Sequence, residues 1–168
     1  MELINQLKED GTAKGLCRLW RMKLRQDLSV EELAKLYIKG IDFCISEDYP
    51  TLDYMRDNFK GKCEPYGIYM DDRVEALNKA DIVLLGNCAA LLEYDHFNVS
   101  RIYARHNSQG AVIVGDHAYV TIDAFDNSDL AIAVAGTDAR VIVNLYGNSK
   151  IKTYGSGISV NEMNKTAY

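Results

Sequence analysis

Clustered basic residues are the first feature of this sequence that could do chemistry, because guanidinium and ammonium groups bind phosphates and carboxylates. They recur every three or four positions, at Lys14, Arg18, Arg21 and Arg25. At about 100° per residue, this spacing places all four within an arc of roughly 60° on one helix face. We therefore predict a partner-binding helix face that contacts an acidic protein or, as the alternative, a nucleic-acid backbone. The plainer interpretation is a helix face covered by water.

Histidines and carboxylates are the second candidate group, since both ligate metals. Three histidines have acids nearby in the sequence, and together these residues are His96, His106, His117, Asp95, Asp116 and Asp123. Metal ligands must converge on one point. His96 and His106, however, occupy equivalent corners of successive repeat units, which we expect to lie apart. The sequence therefore predicts exposed corner residues and no metal site.

Asp71 and Asp72 form a carboxylate pair of the kind used in acid–base catalysis. Adjacent acids where a strand meets a corner are more often simply solvated. The sequence also has no phosphate-binding loop and no nucleophile elbow. We therefore expect no catalytic residue and no cofactor.

A short repeat between Leu77 and Thr153 positions the histidines and acids. Each unit has a turn-forming residue, a small residue two positions later, and aliphatic residues two and usually four positions after that. The small residues are Ala80, Ala89, Ser100, Gly110, Ala118, Ser128, Ala139 and Ser149. Period-two alternation predicts a strand with one buried face, and a polar corner about every ten residues predicts a coil of parallel strands. No proline follows Pro65, which favours an unbroken strand ladder.

The number of strands in each turn of the coil depends on which residues stack. A three-sided turn of roughly 30 residues puts Phe97 in register with Phe125 and gives fewer than three complete turns. A two-sided turn needs large and small residues to alternate, and that alternation fails at Asn107 and Gly115. The three-sided coil leaves Tyr146 unexplained. We predict three sides, with a buried core that includes Val112, Val120, Leu130, Val141 and Ile151.

The first third of the chain has helical periodicity. We predict helices over 3–8, 14–26 and 29–46, and a fourth that begins after Thr51. Ser29 and Glu32 form a capping box. The fold class is thus α+β: a helical cap (1–62), a connector (63–76), a short parallel β-solenoid (77–160) and a tail (161–168). We expect the helices to cover the first end of the solenoid, because an open end invites edge-to-edge pairing.

Composition restricts the protein class. The net charge is −5, and 48% of the residues are hydrophobic. No apolar run approaches the roughly 20 residues needed to span a bilayer, and the N-terminus lacks a signal-peptide pattern. The four cysteines are dispersed, without a CxxC pair, as is typical of reduced thiols. We expect a cytoplasmic protein that has no membrane partner.

Three functions are compatible with this organisation. We predict a non-enzymatic protein-interaction module that binds a protein partner. A carbohydrate-active β-helix enzyme is one alternative, although no column of carboxylates recurs on one face of the coil. A self-assembling scaffold is the other, with oligomers formed through an uncovered solenoid end.

Two stretches carry a resemblance to known sequences. They are 40–50, which includes Gly40-Ile41-Asp42-Phe43-Cys44 and Asp48-Tyr49-Pro50, and Ile102-Tyr103-Ala104-Arg105-His106-Asn107-Ser108. Together with the repeat that follows, they resemble an uncharacterised group of proteins from Bacteroidota genomes and their phages or mobile elements. The resemblance implies a helical head, a β-helical tail and a mobile-element setting. It assigns no activity and no site residues.

Overall fold

The computed structural model describes residues 2–168, which divide into two compact units. The first unit extends to Tyr66 and also includes Tyr168, and the second covers Gly67–Ala167. Within the described residues, the first unit contains all five α-helices and the second all eleven strands. The predicted α+β organisation, a helical part followed by a parallel β-solenoid, is confirmed.

Two of the helices begin directly after the predicted capping residues, Ser29 and Thr51. The helix bounds are α1 Glu2–Ala13, α2 Arg18–Lys23, α3 Val30–Lys39, α4 Ile41–Ser46 and α5 Leu52–Phe59, followed by a 3-10 turn at Glu64–Tyr66. The capping box is confirmed: Ser29 Oγ accepts from the Glu32 backbone N–H, and the Glu32 carboxylate accepts from the Ser29 N–H. Thr51 likewise accepts from the backbone of Tyr54 at 3.3 Å.

Three helix boundaries differ from the prediction, and a glycine lies at each of them. Gly11 lies inside α1, where a Cβ atom would come within 2.9 Å of Leu16. Gly15 has a φ of 91°, and the predicted helix 14–26 shrinks to α2. Gly40 separates α3 from α4, and a Cβ there would lie 3.2 Å from the Trp20 ring.

The second unit is a coil of short parallel strands. Their bounds are β1 Ile68–Met70, β2 Arg73–Leu77, β3 Asp81–Leu85, β4 Ala89–Tyr94, β5 Val99–Ala104, β6 Gln109–Val114, β7 Tyr119–Ala124, β8 Asp129–Val134, β9 Arg140–Leu145, β10 Lys150–Tyr154 and β11 Ile158–Glu162. The odd-numbered strands form one sheet (sheet A) and the even-numbered strands form the other (sheet B). Since β1 lies within 63–76 and β2 begins there, the coil starts before the predicted connector ends, and β11 extends it into the predicted tail.

The predicted three-sided turn is wrong, because successive strands alternate between only two sheets. Val99 pairs with Tyr119, and Gln109 pairs with Asp129, so equivalent residues are 20 positions apart. The coil accordingly makes about 4 turns. Its two edges consist of the corners between strands. We call the corners after β2, β4, β6, β8 and β10 edge B, and those after β1, β3, β5, β7 and β9 edge A.

The core lies between the two sheets. The predicted core residues Val112, Val120, Leu130 and Val141 are buried, as expected. Ile151 is only partly buried, because β10 is the last strand of sheet B. Glu93 points outward from β4, whose buried residues include Leu92 and Tyr94.

Candidate functional site

The predicted basic helix face is divided in the structure. Arg18 and Arg21 lie on α2, but Lys14 precedes this helix and Arg25 follows it. The Lys14 ammonium donates to the backbone carbonyls of Glu47 and Asp48, at 2.9 Å for the latter. Arg25 Nε lies 3.3 Å from the Asp27 carboxylate, and both side chains are exposed. Lys14 and Arg25 therefore have partners within the helical unit.

Arg18 and Arg21 share an open groove between α1 and α2, which we call the α1–α2 groove. Its volume is about 670 Å³, and its lining residues are Lys8, Glu9, Thr12, Ala13, Arg18, Arg21 and Met22. Within residues 2–168, the buried Nε atom of Arg21 has no hydrogen-bond partner. Met22, one of the lining residues, is 63% exposed, and Leu19, also on α2, is 71% exposed. The groove thus combines three cations and one acid with exposed apolar side chains.

Two of the three histidines lie at solenoid corners that share the same backbone conformation and the same hydrogen bond. His96, His106, Asp116 and Asp126 all have positive φ values between 51° and 59°, a conformation that Asp, Asn and His tolerate better than most residues. The His96 N–H donates to Asp116 Oδ2 at 2.9 Å, and the His106 N–H donates to Asp126 Oδ2 at 2.8 Å. Each bond joins the corner of one turn to the corner of the next turn at the same edge.

At edge B, three potential metal ligands converge. One ligand atom each from Asp95, His96 and Asp116 lies within 4.8 Å of the other two. Asp95 Oδ1 is 2.7 Å from His96 Nδ1 and accepts from Asn78 Nδ2 at 2.5 Å. The Asp95 N–H donates in return to Asn78 Oδ1 at 2.9 Å. His96 and His106 lie at different edges, as expected, but Asp95, His96 and Asp116, which we call the Asp–His cluster, converge at edge B.

Within the Asp–His cluster, Asp95 and His96 shift each other's pKa values. The hydrogen bond with the Asp95 carboxylate, and then its charge, raises the pKa of His96. Hydrogen bonds from Asn78 and then His96 lower the pKa of Asp95. On the same edge, His117 stacks on Phe97 with 4.6 Å between ring centroids.

Edge A carries the matching corner with a different charge pattern. Arg105 occupies the position equivalent to Asp95, is 7% exposed, and approaches Asp126 Oδ2 to 3.9 Å through its Nε. His106 Nδ1 accepts a hydrogen bond from the Gly86 N–H at 3.0 Å. Edge A therefore has a cation where edge B has a second carboxylate.

The other acids that the sequence analysis singled out accept hydrogen bonds from backbone N–H groups or from neighbouring side chains. Asp71 Oδ1 accepts from the Asn87 N–H at 2.9 Å, and Asp72 Oδ2 accepts from the Met70 N–H at 3.1 Å. Asp123 lies away from the Asp–His cluster, where it accepts from Asn144 Nδ2 at 2.7 Å. Each of these acids thus holds a neighbouring residue through a hydrogen bond.

No protein-family model matches the chain, and no curated protein or solved structure shows significant similarity to it. Among residues 2–168, no helix combines the length and apolar character needed to cross a bilayer.

Proposed function

We propose that this protein is a non-enzymatic interaction module that binds an acidic segment of a protein partner in the α1–α2 groove. One observation carries the proposal: the Arg21 side chain has a buried Nε atom that lacks a hydrogen-bond partner within residues 2–168 and lines an open groove. Arg18 and Lys8 line the same groove.

The chemistry of Arg21 favours a carboxylate partner. A buried N–H without a partner costs about 1–3 kcal/mol, which a carboxylate from the partner would recover. A guanidinium also presents paired N–H groups that match the two oxygens of a carboxylate. We therefore expect a glutamate or aspartate of the partner to contact Arg21.

The apolar neighbours of the groove favour a polypeptide over a nucleic acid. Leu19 and Met22 offer exposed hydrophobic surface next to the cations, and mixed acidic and apolar side chains would satisfy both. A nucleic-acid backbone would instead meet Glu9 in the groove and a protein of net charge −5. Binding of a nucleic acid is therefore the competing hypothesis in the test below.

The test uses a fluorescent peptide of alternating glutamate and leucine, with a single-stranded oligonucleotide of equal charge as the competing probe. We expect the peptide to bind by fluorescence anisotropy, and the double variant Arg18→Glu/Arg21→Glu to weaken binding at least tenfold. Arg25→Glu is the matched control, because Arg25 lies outside the groove-lining residues. Equal binding by the double variant would overturn the proposal, as would preference for the oligonucleotide with a steep salt dependence.

We also propose a cytoplasmic setting and a phage or mobile-element origin. Within residues 2–168 no disulfide joins any of the four cysteines, of which Cys44, Cys63 and Cys88 are buried and Cys17 is exposed, and this fits a reducing compartment. The origin is supported by the resemblance of the stretches 40–50 and 102–108, and it makes a host protein or nucleoprotein the natural partner.

Self-assembly is the second candidate function, and one observation favours it. Within the described part of the chain, β10 and β11 are each paired on one side only. Strands with a free edge are templates for pairing with another copy. Light scattering that shows only monomers at high protein concentration would exclude this function.

A further inference from the structure

We propose that Asp95, His96 and Asp116 form a binding site for a divalent transition-metal ion, such as Zn²⁺, at edge B of the solenoid. The site belongs to the second unit and is independent of the α1–α2 groove. The proposal rests on the convergence of an imidazole and two carboxylates, with one ligand atom of each within 4.8 Å of the others.

The spacing suits a metal after a small contraction. With metal–ligand distances of about 2.0–2.2 Å, ligand atoms in one coordination sphere lie about 3–4 Å apart. Side-chain rotations that move each ligand atom by up to about 1 Å would close the cluster around an ion. The side chains of His96 and Asp95 are 76% and 40% exposed, so an ion reaches them directly from water.

Hydrogen bonds already orient the cluster. The His96 backbone N–H holds Asp116 Oδ2, and Asn78 holds Asp95 through two bonds. Each carboxylate has two oxygens, so one can accept a hydrogen bond while the other ligates. Supporting bonds of this kind fix ligand orientation in metal sites and strengthen metal binding.

The donor set selects a class of metal. Imidazole and carboxylate together suit Zn²⁺, Co²⁺, Ni²⁺ and Cu²⁺. Ca²⁺ and Mg²⁺ prefer oxygen ligands alone. Three protein ligands leave the remaining coordination positions to water. Since the metal requires a neutral imidazole, it competes with the proton that Asp95 and Asp116 favour on His96.

Edge A provides the internal comparison. Its corner repeats the histidine and the aspartate as His106 and Asp126, but Arg105 replaces the carboxylate of Asp95. A guanidinium at that position repels a cation, and His106 Nδ1 is already engaged by the Gly86 N–H. The hydrogen bond from a histidine N–H to an aspartate of the next turn thus occurs at both edges, but only edge B offers a cation site.

The test measures Zn²⁺ binding to the full chain by isothermal titration calorimetry. All proteins carry Cys17→Ser, because the exposed thiol of Cys17 also binds zinc. We expect one equivalent of Zn²⁺ to bind, and His96→Gln to weaken binding at least tenfold. The matched control His106→Gln should bind as the parent does.

Two further measurements keep the result interpretable. Asp116→Asn should also weaken binding, and circular dichroism establishes that each variant is folded. In NMR spectra, Zn²⁺ should shift the ring signals of His96 and leave those of His106 unchanged. The proposal is overturned if Zn²⁺ fails to bind at millimolar concentration, if folded His96→Gln binds equally, or if Ca²⁺ binds more tightly than Zn²⁺.

Discussion

Tyr146 stacks on Phe125 with 4.5 Å between the ring centroids and 16° between the ring planes, and both side chains are buried. The pair joins the corner after β7 to the corner after β9, one turn further along the coil. Stacked aromatic rings stabilise a fold beyond their buried area. This contact therefore couples two successive turns at edge A.

Removing the Phe125 ring should destabilise the solenoid strongly. Phe125→Ala deletes a fully buried aromatic side chain, for which we expect a loss of about 3–5 kcal/mol in the free energy of unfolding. Urea denaturation followed by circular dichroism measures it. Phe97→Ala is the control, since the Phe97 ring is 79% exposed and contributes at most about 1.5 kcal/mol through its stack on His117. Equal losses in the two variants would contradict the packing described here.

The sequence predicts the class of fold because its signals are local. The capping box of Ser29, the helix start after Thr51 and the period-two burial of Val112 and Val141 all depend on residues close together in the chain. Such patterns survive in the structure because packing and propensity agree. The exceptions are Gly11 and Gly40, where close tertiary contacts decide, and Gly15, where a positive φ breaks the predicted helix.

The three-sided coil is wrong because the repeat contains two small positions, two residues apart. Ser100 and Gly110 are strand positions, whereas Ser128 and Ala139 are the last residues of corners, so an alignment that equates them shifts the register. With the corner positions aligned, large buried residues recur at edge A, namely Leu85, Arg105, Phe125 and Tyr146. The equivalent residues of edge B are Asp95, Gly115 and Ala135. Large and small residues then alternate, as two sides require.

The candidate sites are only partly predictable from the sequence, because they combine residues that lie far apart in the chain. Arg18 and Arg21 follow from helical spacing, but Lys8 belongs to a different helix, and its place in the α1–α2 groove depends on tertiary packing. The Asp–His cluster requires a turn of 20 residues, which brings Asp116 next to His96. A turn of roughly 30 residues would have placed Asp126 there instead.

Truncating the core residue Val141 should cost less than truncating Phe125. Val141→Ala removes two buried methyl groups, so we expect a loss of about 1–3 kcal/mol in unfolding free energy. Val160→Ala on β11 is the matched control, because Val160 is 44% exposed, and it should change stability by less than about 0.5 kcal/mol. A Val141→Ala protein as stable as the parent would be inconsistent with a core between the sheets.

Two glycines with the same backbone angle should respond differently to alanine. Gly136 and Gly155 have φ values of 88° and 92°, so each alanine variant loses about 1–2 kcal/mol from the left-handed conformation. At Gly155 a Cβ would also lie 2.2 Å from the carbonyl oxygen of Val134, whereas at Gly136 nothing lies within 4 Å. We expect Gly155→Ala to lose at least about 1 kcal/mol more. Thermal unfolding of both variants measures the difference, and equal losses would refute the close approach.

His96 should titrate at a higher pH than a histidine in an unfolded peptide. Its pKa is raised by the hydrogen bond and charge of Asp95, with a further contribution from Asp116. Because the folded-state pKa exceeds the ordinary value of about 6.5, protonation favours the folded state. The resulting stabilisation is complete below that ordinary value and disappears as the pH rises through the raised pKa.

An NMR titration of the histidine ring signals measures the pKa of His96 directly. Asp95→Asn removes the carboxylate that contacts the ring at 2.7 Å and should lower the pKa of His96. Asp129→Asn is the control, because this exposed acid lies at the start of β8 in sheet B, and it should leave the titration unchanged. A midpoint at or below the peptide value in the parent protein would contradict the pairing. Saturating Zn²⁺ should lower the apparent midpoint of His96 in the parent protein and have little effect on it in Asp95→Asn, since metal and proton compete for the same imidazole.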